Sequence, residues 1–157
     1  MCIRDSCSAG TTQSRNVGSA ELTGYEAQIG FAQGPLAIDA SLTGIDGEDT
    51  ETGDPLGSLA PTRLFVDARW HFADQRFILG SRIQAADAYD APTDTTAHRP
   101  GYVVADLYAR WQPIEDNGLT FNTGVENVLD HDYDRVFAGV SEPGRSFRFD
   151  VSWSHAF

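Results

Sequence analysis

Apolar and polar residues alternate along most of this chain with a period of two. In YEAQIGF, Tyr25, Ala27, Ile29 and Phe31 share one face, while Glu26, Gln28 and Gly30 share the other. LAIDASLTG sets Leu36, Ile38, Ala40 and Leu42 against Ala37, Asp39, Ser41 and Thr43. RLFVDARWHF opposes Leu64, Val66, Ala68, Trp70 and Phe72 to Arg63, Asp67, Arg69 and His71. The same pattern recurs in FILGSRIQA, VVADLYARWQ and LTFNTGVEN, and it closes the chain in RSFRFDVSWSHAF. There Phe147, Phe149, Val151, Trp153 and Phe157 oppose Arg148, Asp150, Ser152 and Ser154. The i, i+3, i+4, i+7 spacing of an amphipathic helix is not sustained anywhere, so the pattern predicts an all-β chain of seven antiparallel strands.

Alternation has two opposite meanings. In a soluble sandwich the apolar face is core and the polar face meets water. In an outer-membrane barrel the apolar face meets lipid and the polar face lines a wet or protein-filled lumen. Loop lengths separate the two. The connections at 33–35, 73–76 and 113–118 are short, and those at 46–62, 87–101 and 127–144 are long. Strict alternation of short and long fits a barrel with tight periplasmic turns and extended outer loops. Strand lengths suit the roughly 9–11 residues of a tilted membrane strand. Trp70, Phe72, Phe77, Trp111 and Trp153 fall near the short-turn ends, where an interfacial aromatic girdle would lie. The fold expected is therefore an antiparallel transmembrane β-barrel segment, with a soluble β-sandwich as the alternative.

Bacterial single-chain barrels have even strand numbers, and an open edge is not tolerated in lipid. Seven strands then imply the C-terminal part of a larger barrel. The rival is a small eight-stranded barrel whose first strand lies around Thr11 to Val17. The lead-in MCIRDS resembles a translated adapter. Residues 1–15 are expected to be an artefactual or disordered start, and 16–157 the barrel portion.

Composition narrows the function classes. The net charge of −12 and pI near 4.5 argue against a nucleic-acid partner, which needs a basic surface. All formal positive charge is arginine. Cys2 and Cys7 are the only cysteines, and the start has no apolar run suited to a signal peptide. No stretch of about 18 apolar residues exists to form a transmembrane helix.

The tail GVENVLDHDYDRVF…PGRSFRFDVSWSHAF resembles the end of TonB-dependent outer-membrane receptors. Asn127-Val128-Leu129-Asp130 and Tyr133 match that family's asparagine-leucine-phenylalanine-aspartate motif and following tyrosine, with two apolar positions exchanged. Pro143-Gly144-Arg145 and the terminal Phe157 match as well. TGDPLGSLAPTR, from Thr52 to Arg63, resembles a loop-to-strand junction of the haem and haemoprotein branch. NVGSAELTGYEAQ, from Asn16 to Gln28, resembles a family strand start.

The resemblance implies a barrel of about 22 strands, plugged by a separate N-terminal domain that engages TonB. It implies a bacterial outer-membrane receptor that takes up an iron complex, with haem or a haemoprotein as transported ligand. The alternatives are a siderophore receptor of the same family or a small passive porin-like barrel. It also implies that barrel-assembly machinery reads the last strand as an insertion signal, through Phe149, Trp153 and Phe157. His155 departs from the aromatic residue usual at its position.

The remaining chemistry is sparse. His98 and His131 fall in outer loops and are weak candidates for ligand contact; a lone loop histidine is more often simply solvated. Asp130, Asp132 and Asp134 alternate, but Arg135 replaces the glycine of a calcium loop, and no metal site is expected. Asp46, Glu48, Asp49, Glu51 and Asp54 read as another acidic loop. His98 and Ser141 lie in different loops and no Gly-x-Ser-x-Gly elbow occurs, so no enzyme is expected. The arginines and carboxylates of the polar face are expected to form a luminal network that holds the plug.

Overall fold

The computed structural model describes residues 3–8, 11–16, 19–56, 59–72, 76–89, 100–114, 118–135 and 140–154. The described residues form β1 (Ile3–Ser8), β2 (Thr11–Asn16), β3 (Ala20–Gln33), β4 (Leu36–Asp49) and β5 (Arg63–Phe72). They continue with β6 (Phe77–Ala86), β7 (Tyr102–Trp111), β8 (Leu119–Glu126) and β9 (Ser146–Trp153), and contain no helix.

Strands β3 to β9 make one seven-stranded sheet in which each strand pairs antiparallel with its sequence neighbour. The seven alternating runs of the sequence are these seven strands. A strand does lie at Thr11–Asn16, where the eight-stranded alternative needs its first one. It pairs with β1, Ile3 opposite Asn16, and not with β3 or β9. The segment 1–15, expected as an artefactual or disordered start, thus contains β1 and most of β2.

Register carries each face unbroken from strand to strand. Ile29, Ala40, Val66, Ile83 and Ala105 are successive cross-strand partners. So are Trp70, Leu79, Ala109, Thr123 and Phe149. Since side chains alternate strictly, a slip of one residue at any pair would have mixed the faces. None occurs, and all seven strands put their apolar set on the same side.

That apolar side is uncovered. Ile29, Phe147, Phe149 and Trp153 are 70–78% exposed, and Val104 is the only buried hydrophobic side chain among the described residues. A sandwich would cover this face with a second sheet about 10 Å away. Large apolar side chains exposed to water forfeit roughly 1.5–3 kcal/mol each. Such a face suits hydrocarbon as its solvent, as on the outer wall of a membrane barrel.

The short-turn rim is laced by backbone hydrogen bonds. His71 N donates to Pro35 O (2.8 Å), Gln112 N to Arg76 O (2.8 Å) and Ser154 N to Gly118 O (3.3 Å). Gly34 opens the first turn at φ +57, a conformation that favours glycine. Just above this rim the aromatic rings cluster. Trp70 and Phe72 centroids lie 6.2 Å apart, Phe72 and Phe77 5.8 Å, and Trp111 and Phe121 5.4 Å.

The long-loop side departs from the expected boundaries. Residues 46–49, read as loop, are strand: β4 continues to Asp49 and pairs with β3 up to Ala20. Only Leu36–Thr43 of β4 also pairs with β5, so the β3–β4 hairpin projects beyond the sheet. Outside the lipid both faces of a hairpin are wet, and the apolar alternation that reveals a strand is lost. Asp49 closes the projection by accepting from Glu51 N (2.9 Å) and Thr52 N (3.4 Å). Its carboxylate is a turn cap, which gives one member of the acidic loop a structural role.

Candidate functional site

The polar face holds a connected charge network centred on Asp67, which is only 8% exposed. Asp39, Asp67, Arg82 and Asp106 are successive register partners on β4, β5, β6 and β7. One row nearer the short turns, Arg69, Gly80, Tyr108, Gly124 and Arg148 follow each other across β5 to β9. Side chains of this second row reach diagonally into the first.

Arg69 pairs with Asp39, and its Nε lies 3.3 Å from Asp67 Oδ1. Arg82 Nε lies 3.7 Å from Asp67 Oδ2. The Arg82 guanidinium sits between two rings, 5.6 Å from the centroids of both Phe65 and Tyr108. Tyr108 itself crosses β6 and donates its hydroxyl to Asp67, at 2.9 and 3.0 Å from the two carboxylate oxygens. Gly80 makes that crossing possible, because any Cβ there would occupy the space of the Tyr108 ring. A glycine inside a strand commonly marks such a close approach.

Toward β9 the pairs are looser. Asn122 Nδ2 donates to Asp150, Arg148 Nε lies 3.0 Å from Glu126 Oε1, and Ser146 Oγ donates to Glu126 (3.1 Å). Between Arg82, Tyr108, Asn122, Glu126 and Arg148 lies a polar recess of about 380 Å³. Its fixed acids and bases can hold complementary polar groups by charge-assisted hydrogen bonds.

The β8–β9 loop is organised by one residue. Asn127, 4% exposed, takes φ +50. Its side chain accepts from His131 N (2.9 Å) and donates to His131 O (2.7 Å) and Pro143 O (3.4 Å). Its own amide donates to Asp106 Oδ1 (2.9 Å), which fastens the loop to β7. Asp130, at φ +56, accepts from Arg145 N at 2.7 Å. Gly144 leaves room for that contact, since a Cβ would stand 2.8 Å from Asp130 Oδ1. Tyr133 packs on Tyr102 with centroids 4.5 Å apart. Arg135 pairs with Glu142 at 3.2 Å. A hydrogen bond with Tyr133, and the Glu142 charge, raise the Arg135 pKa above its ordinary value despite partial burial.

The structure therefore brings Asn127, Asp130, Tyr133, Gly144 and Arg145 into one loop scaffold. Phe149 and Trp153 stand on the apolar face of β9, well exposed. His131 lines a recess above the apolar face, among Leu42, Leu64 and Val103, and not the luminal network. His98, His155 and Phe157 lie outside the described residues. The alternating pattern puts Asp67, Arg82 and Tyr108 on the polar face, where a luminal network of arginines and carboxylates is expected, but it does not show that the Tyr108 hydroxyl joins that network. The mid-strand Gly80 was the signal that a ring crosses there.

Comparison with known proteins agrees with this geometry. The family model described as TonB dependent receptor-like, beta-barrel matches residues 3–128. Heme/hemopexin utilization protein C of Haemophilus influenzae (strain 86-028NP) is 25% identical over 146 residues, covering 91% of this chain and 21% of that protein. Heme transporter BhuA of Brucella ovis is 27% identical over 113 residues, covering 63% of this chain and 16% of its own length. The chain thus spans about a fifth of the length of these curated relatives. Among solved structures, the copper transporter OprC superimposes with TM-score 0.80 at 22% identity, over 98% of this chain and 26% of that one. The FrpB iron transporter from Neisseria meningitidis does so with TM-score 0.70 at 19% identity, over 94% of this chain and 25% of that one.

Proposed function

The chain belongs to the TonB-dependent receptor-like β-barrel family, and on that premise we propose that it is the C-terminal barrel portion of an outer-membrane receptor for haem or a haemoprotein. The barrel family is one of Gram-negative outer-membrane proteins, so the uncovered apolar face meets outer-membrane lipid. The observation that carries the cargo is the similarity, along 91% of the chain, to a heme/hemopexin utilization protein. The structural neighbours, at 22% identity or below, speak to the fold alone and leave the cargo to the curated relatives.

In this reading the luminal network around Asp67 is the wall against which the receptor's own N-terminal plug rests. Its alternating arginines and carboxylates suit reversible polar contacts with a folded domain. TonB acts through that plug and supplies the energy for transport. The assembly machinery engages β9, with Phe149, Trp153 and the terminal Phe157 as its signal.

The test is growth of an iron-starved outer-membrane host that lacks its own haem receptor and carries the full receptor gene. Growth on haem that requires TonB is the expected result. Growth on a ferric siderophore but not on haem would make the siderophore reading correct. Uptake unchanged by loss of TonB would make it a passive porin-like barrel.

A further inference from the structure

Beside the short-turn rim the apolar face carries a recess of about 410 Å³. Two rows of register partners line it. Phe77, Trp111 and Phe121 are partners on β6, β7 and β8, and Ala109, Thr123 and Phe149 are partners on β7, β8 and β9. The small side chains of Ala109 and Thr123 make the floor, and the four rings surround them. Trp111 and Phe121 are stacked with centroids 5.4 Å apart, so this part of the wall holds its shape. The Thr123 hydroxyl donates to Arg148 O (3.1 Å), and Asn122, the remaining lining residue, donates its side-chain amide to Asp150 on the luminal face.

We propose that this recess holds one acyl chain of a phospholipid from the periplasmic leaflet, and holds it longer than the flat wall holds its neighbours. Continuity selects hydrocarbon, because the recess lies on the same unbroken face as Leu79 and Leu107, which the membrane covers. Shape selects a chain that stays. On a flat wall a chain touches protein on one side only, whereas among Phe77, Phe121 and Phe149 it touches protein on several, and dispersion grows with each contact. Depth selects the leaflet, since the Phe77–Phe121 row borders the short turns, and the amphipathic Trp111 ring suits a membrane interface. With the Thr123 hydroxyl and the Asn122 amide committed elsewhere, the chain and not the headgroup is recognised. The inference rests on the membrane-barrel reading and is independent of the cargo.

The test uses the full receptor reconstituted in vesicles with equal amounts of phosphatidylethanolamine and phosphatidylglycerol bearing the same chains. Mild detergent extraction followed by mass spectrometry counts the lipid that stays bound. The unaltered receptor should keep phospholipid of both headgroups alike. Ala109→Phe fills the hollow and should cut retention roughly tenfold, the scale of about two methylene groups losing their burial. Ser81→Phe adds the same bulk to the same face, outside the recess, and should leave retention unchanged. Heat-resistant migration on gels verifies that each variant has folded. Brominated chains give a second reading. Bromine quenches a nearby indole, so the quenching that survives extraction should be smaller in Trp111→Phe. Equal retention by the Ala109 and Ser81 variants, or a strong preference for one headgroup, would overturn the proposal. So would a receptor dimer that survives extraction and is lost in Ala109→Phe, since a second copy would then fill the recess. Failure of the unaltered receptor to insert into vesicles would overturn the membrane-barrel reading instead.

Discussion

The Tyr108 hydroxyl reaches Asp67 across the whole width of β6, passing over Gly80, and lies within 3.0 Å of both carboxylate oxygens. Two strands that never pair, β5 and β7, are thereby joined on the luminal face. The buried Asp67 is also shared with Arg69 and Arg82, so removing one partner strips a desolvated charge of part of its compensation.

Tyr108→Phe should therefore destabilise the folded receptor by about 1–3 kcal/mol, the cost of leaving a buried acceptor short of a partner. Gly80→Ala should cost a similar amount by displacing the same ring. The double variant should cost clearly less than the sum, because both changes break one contact. Urea unfolding of the receptor in micelles measures all three, and strict additivity would show that the crossing carries no energy.

The outer pair behaves differently. Arg148 and Glu126 are only 3.0 Å apart, but the Arg148 side chain is 74% exposed. Water screens that interaction, so Arg148→Ala should cost less than about 1 kcal/mol in the same titration. A loss as large as that of Tyr108→Phe would mean that the pair is desolvated in the whole receptor.

Leu107 lies midway along β7 on the apolar face, with Ser81 and Val125 as its partners. Leu107→Arg should cost about 2–4 kcal/mol at the membrane midplane. Ala37→Arg, on the luminal face of β4, should cost much less. Equal costs would show that the faces are assigned the wrong way round.

What the sequence made legible follows from where its physics is simple. Inside the lipid one face must be apolar, so RLFVDARWHF revealed a strand at once. Beyond the lipid no face must be apolar, so β4 past Gly44 looked like loop although its backbone pairs to Asp49. Of the β1–β2 ribbon only the second strand was legible, near Thr11, as the first strand of the eight-stranded alternative. The Asp67 network was half legible: its members were assigned to the polar face, but which side chain reaches which depends on diagonal geometry. Asn127 and Asp130 were marked through a family resemblance, while their positive φ values appear only in the structure.

Asn127 offers the sharpest test of the outer loop. Its side chain gives one acceptor and one donor group to the loop, and its backbone sits at φ +50, which asparagine tolerates better than most residues. Asn127→Ala removes every side-chain bond and adds backbone strain, so the β8–β9 loop should open at a local cost of about 2–4 kcal/mol. Asn127→Asp keeps the acceptor for His131 N but loses both donations, and should fall between the two. Asn127→Gly relieves the strain and still loses the bonds, and so should stay nearer to alanine than to asparagine. Protease cleavage of the loop on intact cells reads the order directly. Cleavage of the alanine variant as slow as that of the unaltered receptor would mean that the Tyr102–Tyr133 packing and the Arg135–Glu142 pair hold the loop without Asn127.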